Sequence, residues 1–209
     1  MKLTKTKLLQ MLTGVFVSCL LISNVLAAKT FTIGNIILPT AVIIFPLVYI
    51  VNDVLAEIYG FKRARAVILL GFALNAFAVA AFTIAIILPA PEYAAEGAAA
   101  FALTLGSTWR VLLASFAAYL VGSLLNAYIM ERMKNKSGDK KLMLRCVVST
   151  LIGEGIDAFI FITIAFVGTM PLASLFIMIL AQAAFKTIYE IIVYPITKII
   201  IGKINALDE

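Results

Sequence analysis

Long, nearly unbroken apolar runs set the pattern of this chain. They fall approximately at residues 8–28, 36–59, 66–88, 111–130, 147–167 and 172–201. Each reaches or exceeds the roughly 20 residues that an α-helix needs to cross a hydrocarbon core of about 30 Å. The pattern therefore predicts an all-α membrane protein with six transmembrane helices. The polar punctuation between runs is short, down to the turn Gly168-Thr169-Met170-Pro171. Composition agrees: 63% of residues are apolar and only 13% are charged, where a soluble domain is about half apolar and a quarter charged. A soluble globular enzyme is excluded. The crossings use up the 209 residues, so residues 1–209 read as one integral membrane domain.

Basic residues set the orientation. Lys2, Lys5 and Lys7 precede the first run, and Lys62, Arg63 and Arg65 follow the second. Arg132, Lys134, Lys136, Lys140, Lys141 and Arg145 follow the fourth, and Lys198 and Lys203 close the last. The alternate connections hold Lys29, then Glu92 and Glu96 ahead of Arg110, then the short turn. The positive-inside rule gives both termini to the cytoplasm. The net charge of +6 is thereby accounted for by topology, and no nucleic-acid partner is implied. The first run exceeds the core of a cleavable leader, and removing it would break the charge alternation. It is expected to be a retained helix.

The runs are not uniform. The second starts after Gly34 and carries Pro39 and Pro46, each of which removes a backbone donor. A span interrupted by prolines is tolerated where its backbone is re-satisfied or lines a cavity; such spans mark many transporter sites, while a plain packed kink is the other reading. The last run is about 30 residues long and must tilt, bend at Pro195 or project beyond the bilayer. Residues 120–128 of the fourth run also align with 151–159 of the fifth. Gly122 matches Gly153, Asn126 matches Asp157 and Tyr128 matches Phe159. Consecutive spans run in opposite directions, so this is the trace that an inverted pseudo-repeat leaves.

Ionisable residues inside the runs carry the strongest signal: Asp53, Glu57, Glu154, Asp157, Lys186 and Glu190. Each costs about 2.5–3.5 kcal/mol at the centre of a span. Tyr49, Asp53 and Glu57 recur every fourth residue, as do Gln182, Lys186 and Glu190, with Tyr189 beside them. Residues at this spacing share a helix face, so each set is a polar stripe. Asn24, Ser115, Ser123 and Asn126 extend the polar set. Counted from the cytoplasmic ends, Asp157 falls near the midplane, and Asp53, Asn126, Glu154, Lys186 and Glu190 fall in the inner half. One polar cavity lined by these side chains is expected. Competing structural readings are a local Lys186–Glu190 pair, an interfacial Glu57, and packing roles for Asn24 and the serines.

The absence of histidine removes the usual metal ligand and general base, and Cys19 and Cys146 make no metal-type spacing. No metal or cofactor is expected. No G-x-x-x-x-G-K-[ST] loop is present, so the chain alone does not hydrolyse ATP.

Several segments together resemble the queuosine precursor transporter family. They are Ser23-Asn24-Val25-Leu26-Ala27-Ala28-Lys29, Phe45-Pro46-Leu47 through Asn52-Asp53-Val54-Leu55-Ala56-Glu57-Ile58-Tyr59-Gly60, Ser149-Thr150 with Asp157 and Phe161, and Lys186 with Tyr189-Glu190 and Pro195. Asn126 departs from the aspartate expected there, which leaves the fourth span hydrogen bonding in place of charge. The resemblance implies a multi-pass protein of a bacterial inner or archaeal plasma membrane. Its substrate would be a 7-deazaguanine: the 7-cyano or 7-aminomethyl base, or queuine. A guanine-like edge offers a ring N–H and an amine that one carboxylate accepts side by side. On this reading Asp157 or Asp53 takes that edge. Glu154, Asn126, Gln182 and Asn24 complete the polar shell, and Lys186 keeps a carboxylate ionised.

Proton coupling, facilitated diffusion, an energising partner module and a homodimer all stay open. The alternatives are a substrate-binding subunit for another micronutrient and an intramembrane aspartyl protease built on Asp53 and Asp157. Against the protease, neither aspartate follows a glycine: Asn52 and Ile156 precede them.

Overall fold

Lipid offers a backbone no hydrogen-bond partner, so apolar runs of this length must satisfy their own amides as helix. A computed structural model of the protein describes residues 5–137 and 142–205. Its helices are α1 (Lys5–Leu26), α2 (Phe45–Ile87), α3 (Ala95–Leu105), α4 (Thr108–Ser137), α5 (Leu142–Phe166) and α6 (Leu172–Asn205). Strands β1 (Thr30–Ile33) and β2 (Ile36–Pro39) form a hairpin after α1, and short 3₁₀ turns precede α2 and α3. Among the described residues four helical stretches are long and apolar enough to cross a membrane: Lys5–Leu26, Lys62–Ile87, Glu92–Gly122 and Leu172–Tyr189. Exposure is inverted relative to a soluble protein. Phe77, Ile84, Phe176 and Ile192 lie largely uncovered, while Asn24, Asn75 and Gln182 are buried. That distribution suits lipid as the solvent.

The chain gathers into two compact units. The first comprises Met1–Thr30, Pro39–Leu112 and Tyr189–Glu209. Here α2 is two helical arms joined at Gly60, whose φ of 76° and ψ of 164° are outside the helical region and suit a residue without Cβ. Contacts with α1 fix the direction of each arm. The backbone N–H and hydroxyl of Thr40 both donate to the Lys29 carbonyl at 2.8 Å, and the Tyr59 hydroxyl donates to the Lys5 carbonyl at 2.8 Å. Residues 40–59 therefore run antiparallel to α1. Further on, Phe16 and Leu20 close over Gly71, and Asn24 meets Asn75, so the second arm runs parallel to α1. Within this unit α1 and the two arms of α2 thus alternate in direction.

The proline-interrupted run takes a more specific form than a kinked helix. Residues 36–39, read from sequence as the start of the second span, are strand β2. The signal for it was present: Gly34-Asn35, with Gly34 at φ 61°, is a two-residue hairpin turn between β-branched runs. Pro39 then leads into the 3₁₀ turn Thr40–Ile43. Pro46 sits in the first turn of α2, where its missing N–H has no partner to lose. The turn and the first arm together rise roughly 30 Å, a full hydrocarbon thickness. A second difference lies at residues 95–105, read as loop and found as α3; the alanine-rich Ala95–Leu105 favours helix strongly.

The second unit comprises Phe31–Leu38 and Leu113–Ile188. Helices α4, α5 and the first part of α6 alternate in direction, with Gly122 of α4 opposite Gly153 and Asp157 of α5. The turn expected between the fifth and sixth runs is present. Gly168 takes φ 82°, the Thr169 hydroxyl donates to the Phe166 carbonyl at 2.7 Å, and Phe161 meets Phe166 edge to face.

Asn24 donates from Nδ2 to Asn75 Oδ1 at 2.9 Å between α1 and the second arm of α2. Both side chains are buried, and such a bond between membrane helices contributes about 0.6–2 kcal/mol. Asn75→Leu is expected to lower the stability of the detergent-solubilised protein by that amount. The double variant with Asn24→Leu should recover most of the loss, because the orphaned Asn24 amide is then gone. Additive losses in thermal unfolding would contradict the pairing.

Candidate functional site

Helix spacing builds the site in the second unit. Glu154 and Asp157 stand three residues apart on α5, and Gln182 and Lys186 stand four apart on α6, so each pair shares one face of its helix. The antiparallel α5–α6 hairpin brings those faces together. The Lys186 ammonium donates to Asp157 Oδ2 and lies 3.2 Å from Glu154 Oε2. The three side chains are 8% (Lys186), 14% (Asp157) and 17% (Glu154) exposed, so the cation is the most enclosed of the three. One turn along α6, Gln182 is buried, and among the described residues its Oε1 has no hydrogen-bond partner. On the α4 side, a Cβ at Gly122 would come within 3.0 Å of Asp157 Cβ and 3.2 Å of the Gly153 carbonyl oxygen. Glycine is what lets α4 approach the backbone that carries Asp157.

The chemistry of this cluster is acceptor-rich. Two carboxylates share one ammonium, and the Gln182 carbonyl adds a further acceptor. Removing one member of a buried ion pair costs about 3–5 kcal/mol, which makes Lys186 necessary to hold two acids in an apolar unit. Carboxylate oxygens are acceptors for N–H groups.

The structure brings together Glu154, Asp157 and Lys186, with Gln182 one turn away. Sequence reasoning expected Lys186 to serve one carboxylate; it serves two. Asn24 lies in the first unit, engaged with Asn75, a residue that sequence reasoning passed over. A lone asparagine within the apolar run 66–88 was the available signal. Asp53 and Glu57 fall on the first arm of α2, Asn126 on α4 and Glu190 on α6; their side chains lie outside the described residues. Tyr189 is half-buried on α6, in the part belonging to the first unit. Ser115 is buried on α4, and the Ser123 side chain is outside the described residues. Among the described residues no group of His, Cys, Asp or Glu could hold a metal.

A mostly helical, multi-pass membrane protein with an ion-paired polar cluster inside one helical unit is the class that fold and site define. The chain belongs to the family described as "Putative vitamin uptake transporter", which matches residues 39–200. It is also similar to a Bacillus subtilis (strain 168) protein named "Probable queuosine precursor transporter", 29% identical over 144 residues. That match takes in 68% of this chain and 59% of the relative, less than two thirds of the relative's length. No solved structure matches the chain.

The close approach at Gly122 gives a stability test with a built-in control. Gly122→Ala is expected to destabilise the protein by about 1–3 kcal/mol through overpacking against α5. Gly155→Ala, where an added Cβ meets nothing within 4 Å, should leave stability unchanged or raise it by up to about 1 kcal/mol. Thermal unfolding in detergent checks both, and equal effects would contradict the packing described.

Proposed function

We propose that this chain is a six-span transporter with both termini in the cytoplasm, importing a 7-deazaguanine precursor of queuosine. Membership of a transporter family and the printed name of the Bacillus relative support the reading. The observation that carries it is the part-buried Lys186–Asp157–Glu154 cluster, with Gln182 Oε1, unpartnered among the described residues, one turn away. Intramembrane ionisable residues are costly and mark solute paths, and this set presents acceptors to an incoming solute.

A 7-deazaguanine fits that chemistry. Its ring N–H and exocyclic amine form a double donor edge that lies against one carboxylate. Asp157 is the residue assigned to that edge, because its Oδ2 alone is taken by Lys186. The Gln182 carbonyl accepts from a further N–H. Lys186 supplies the counter-charge for both carboxylates in apolar surroundings. The reaction is translocation, with no bond made or broken.

The test is rescue of queuosine in tRNA in cells that cannot make the precursor, with each candidate base supplied at limiting concentration. Rescue by at least one 7-deazaguanine is expected. Asp157→Asn should insert normally yet lower uptake at least about tenfold, the worth of a charge-assisted hydrogen bond. Absence of rescue by every base, despite correct insertion, would overturn the substrate assignment. Full uptake by Asp157→Asn would overturn the role of that residue.

A further inference from the structure

Residues 88–107 join the second arm of α2 to α4 and contain α3 (Ala95–Leu105). No α3 residue is buried: Leu103 is 85% exposed and Phe101 is 41% exposed. The helix has no charged face to set against this surface, since residues 97–109 contain no Asp, Glu, Lys or Arg. Uncovered apolar surface with no polar face of its own calls for lipid or another chain as its partner. We propose that α3 lies flat in the membrane interface, with its uncovered face seated among lipid acyl chains just below the headgroups.

Length and connection exclude a crossing. α3 has 11 residues and rises about 16 Å, half of a hydrocarbon core of about 30 Å. The second arm of α2 is long and apolar enough to bring the chain across, and α4 carries it back towards Arg132, Lys134 and Lys136. α3 thus begins and ends on one side of the membrane. Both ends carry residues of the kind found in the headgroup layer. Glu92 and Tyr93 precede the helix, and Trp109 and Arg110 follow it; Tyr93 and Trp109 are both exposed. Tyrosine and tryptophan concentrate at that depth because each has an apolar body and a polar edge. A helix with both ends at headgroup depth lies along the surface. Its flanking turns also meet the demand that lipid makes on backbone polar groups. The Ala94 N–H donates to the Pro91 carbonyl and the Gly106 N–H to the Ala102 carbonyl, each at 2.9 Å. The Thr108 hydroxyl donates to the Leu105 carbonyl at 2.6 Å. Without basic residues on α3, attachment comes from apolar area and not from anionic headgroups. The inference rests on the membrane crossings of α2 and α4 and is independent of the solute carried.

Trp109 is the only tryptophan in the chain, so its fluorescence reads one position in the full-length protein reconstituted in phosphatidylcholine vesicles. Leu103→Trp combined with Trp109→Phe moves the probe to the uncovered side of α3. Phe101→Trp combined with Trp109→Phe, an exchange of one aromatic for another, gives the same reading if the first variant does not insert. Phosphatidylcholines brominated near the glycerol end or near the chain end quench a tryptophan according to its depth. At each position the shallow lipid should quench at least about twofold more strongly than the deep one, as a seat about 5–10 Å into the interface requires. Stronger quenching by the deep lipid at residue 103 or 101 would mean that α3 dips into the bilayer and would overturn the proposal. Quenching of those probes by aqueous acrylamide, with none by either lipid, would put α3 in water. No quenching by lipid or acrylamide would put it against protein, a second copy of the chain included. Either result would overturn the proposal equally, and none of them touches the substrate reading.

Discussion

Two acids and one base that meet between α5 and α6 are a constraint the second unit has to satisfy. An ionised carboxylate in low-dielectric surroundings is tolerated only when paired and hydrogen-bonded, and here one ammonium serves both carboxylates. The register of the α5–α6 hairpin follows, because Lys186 must stand opposite the Glu154–Asp157 turn. So does the close approach of α4, which glycine at position 122 permits beside Asp157. Helix directions, the short turn at Gly168 and the placement of Gln182 all serve one arrangement of charge.

Among the described side chains of the first unit, two neutral amides, Asn24 on α1 and Asn75 on α2, are joined by one hydrogen bond. Neutral groups are cheaper to enclose than ions, and this pair ties together two helices that run in parallel. Gly60 provides the reversal between the two arms of α2. The amide pair therefore reads as helix-to-helix fastening.

Much of this was legible in the order of residues. The apolar runs located α1, the second arm of α2, α4, α5 and α6, because hydrophobic length in lipid leaves few alternatives to helix. The four-residue spacing of Gln182 and Lys186, and the three-residue spacing of Glu154 and Asp157, put each pair on one face. What spacing could not supply was which face met which: the hairpin register sets Lys186 against Glu154 and Asp157 of α5. The β-hairpin at Thr30–Pro39 was hidden because its strands are as apolar as the span that follows. Its Gly34-Asn35 turn is a local signal that run length overrides. Asn75 was hidden for the opposite reason: one amide in a long apolar run alters the hydropathy little, and its importance depends on Asn24 standing across from it.

The central claim is that the enclosed carboxylate of Asp157 is where the solute is held. An experimentally determined structure of the protein with a bound 7-deazaguanine tests this most directly. The account predicts the base in the second unit, with its ring N–H and exocyclic amine within about 3 Å of the Asp157 oxygens. A base seated away from α5 and α6, out of reach of Asp157, would contradict it.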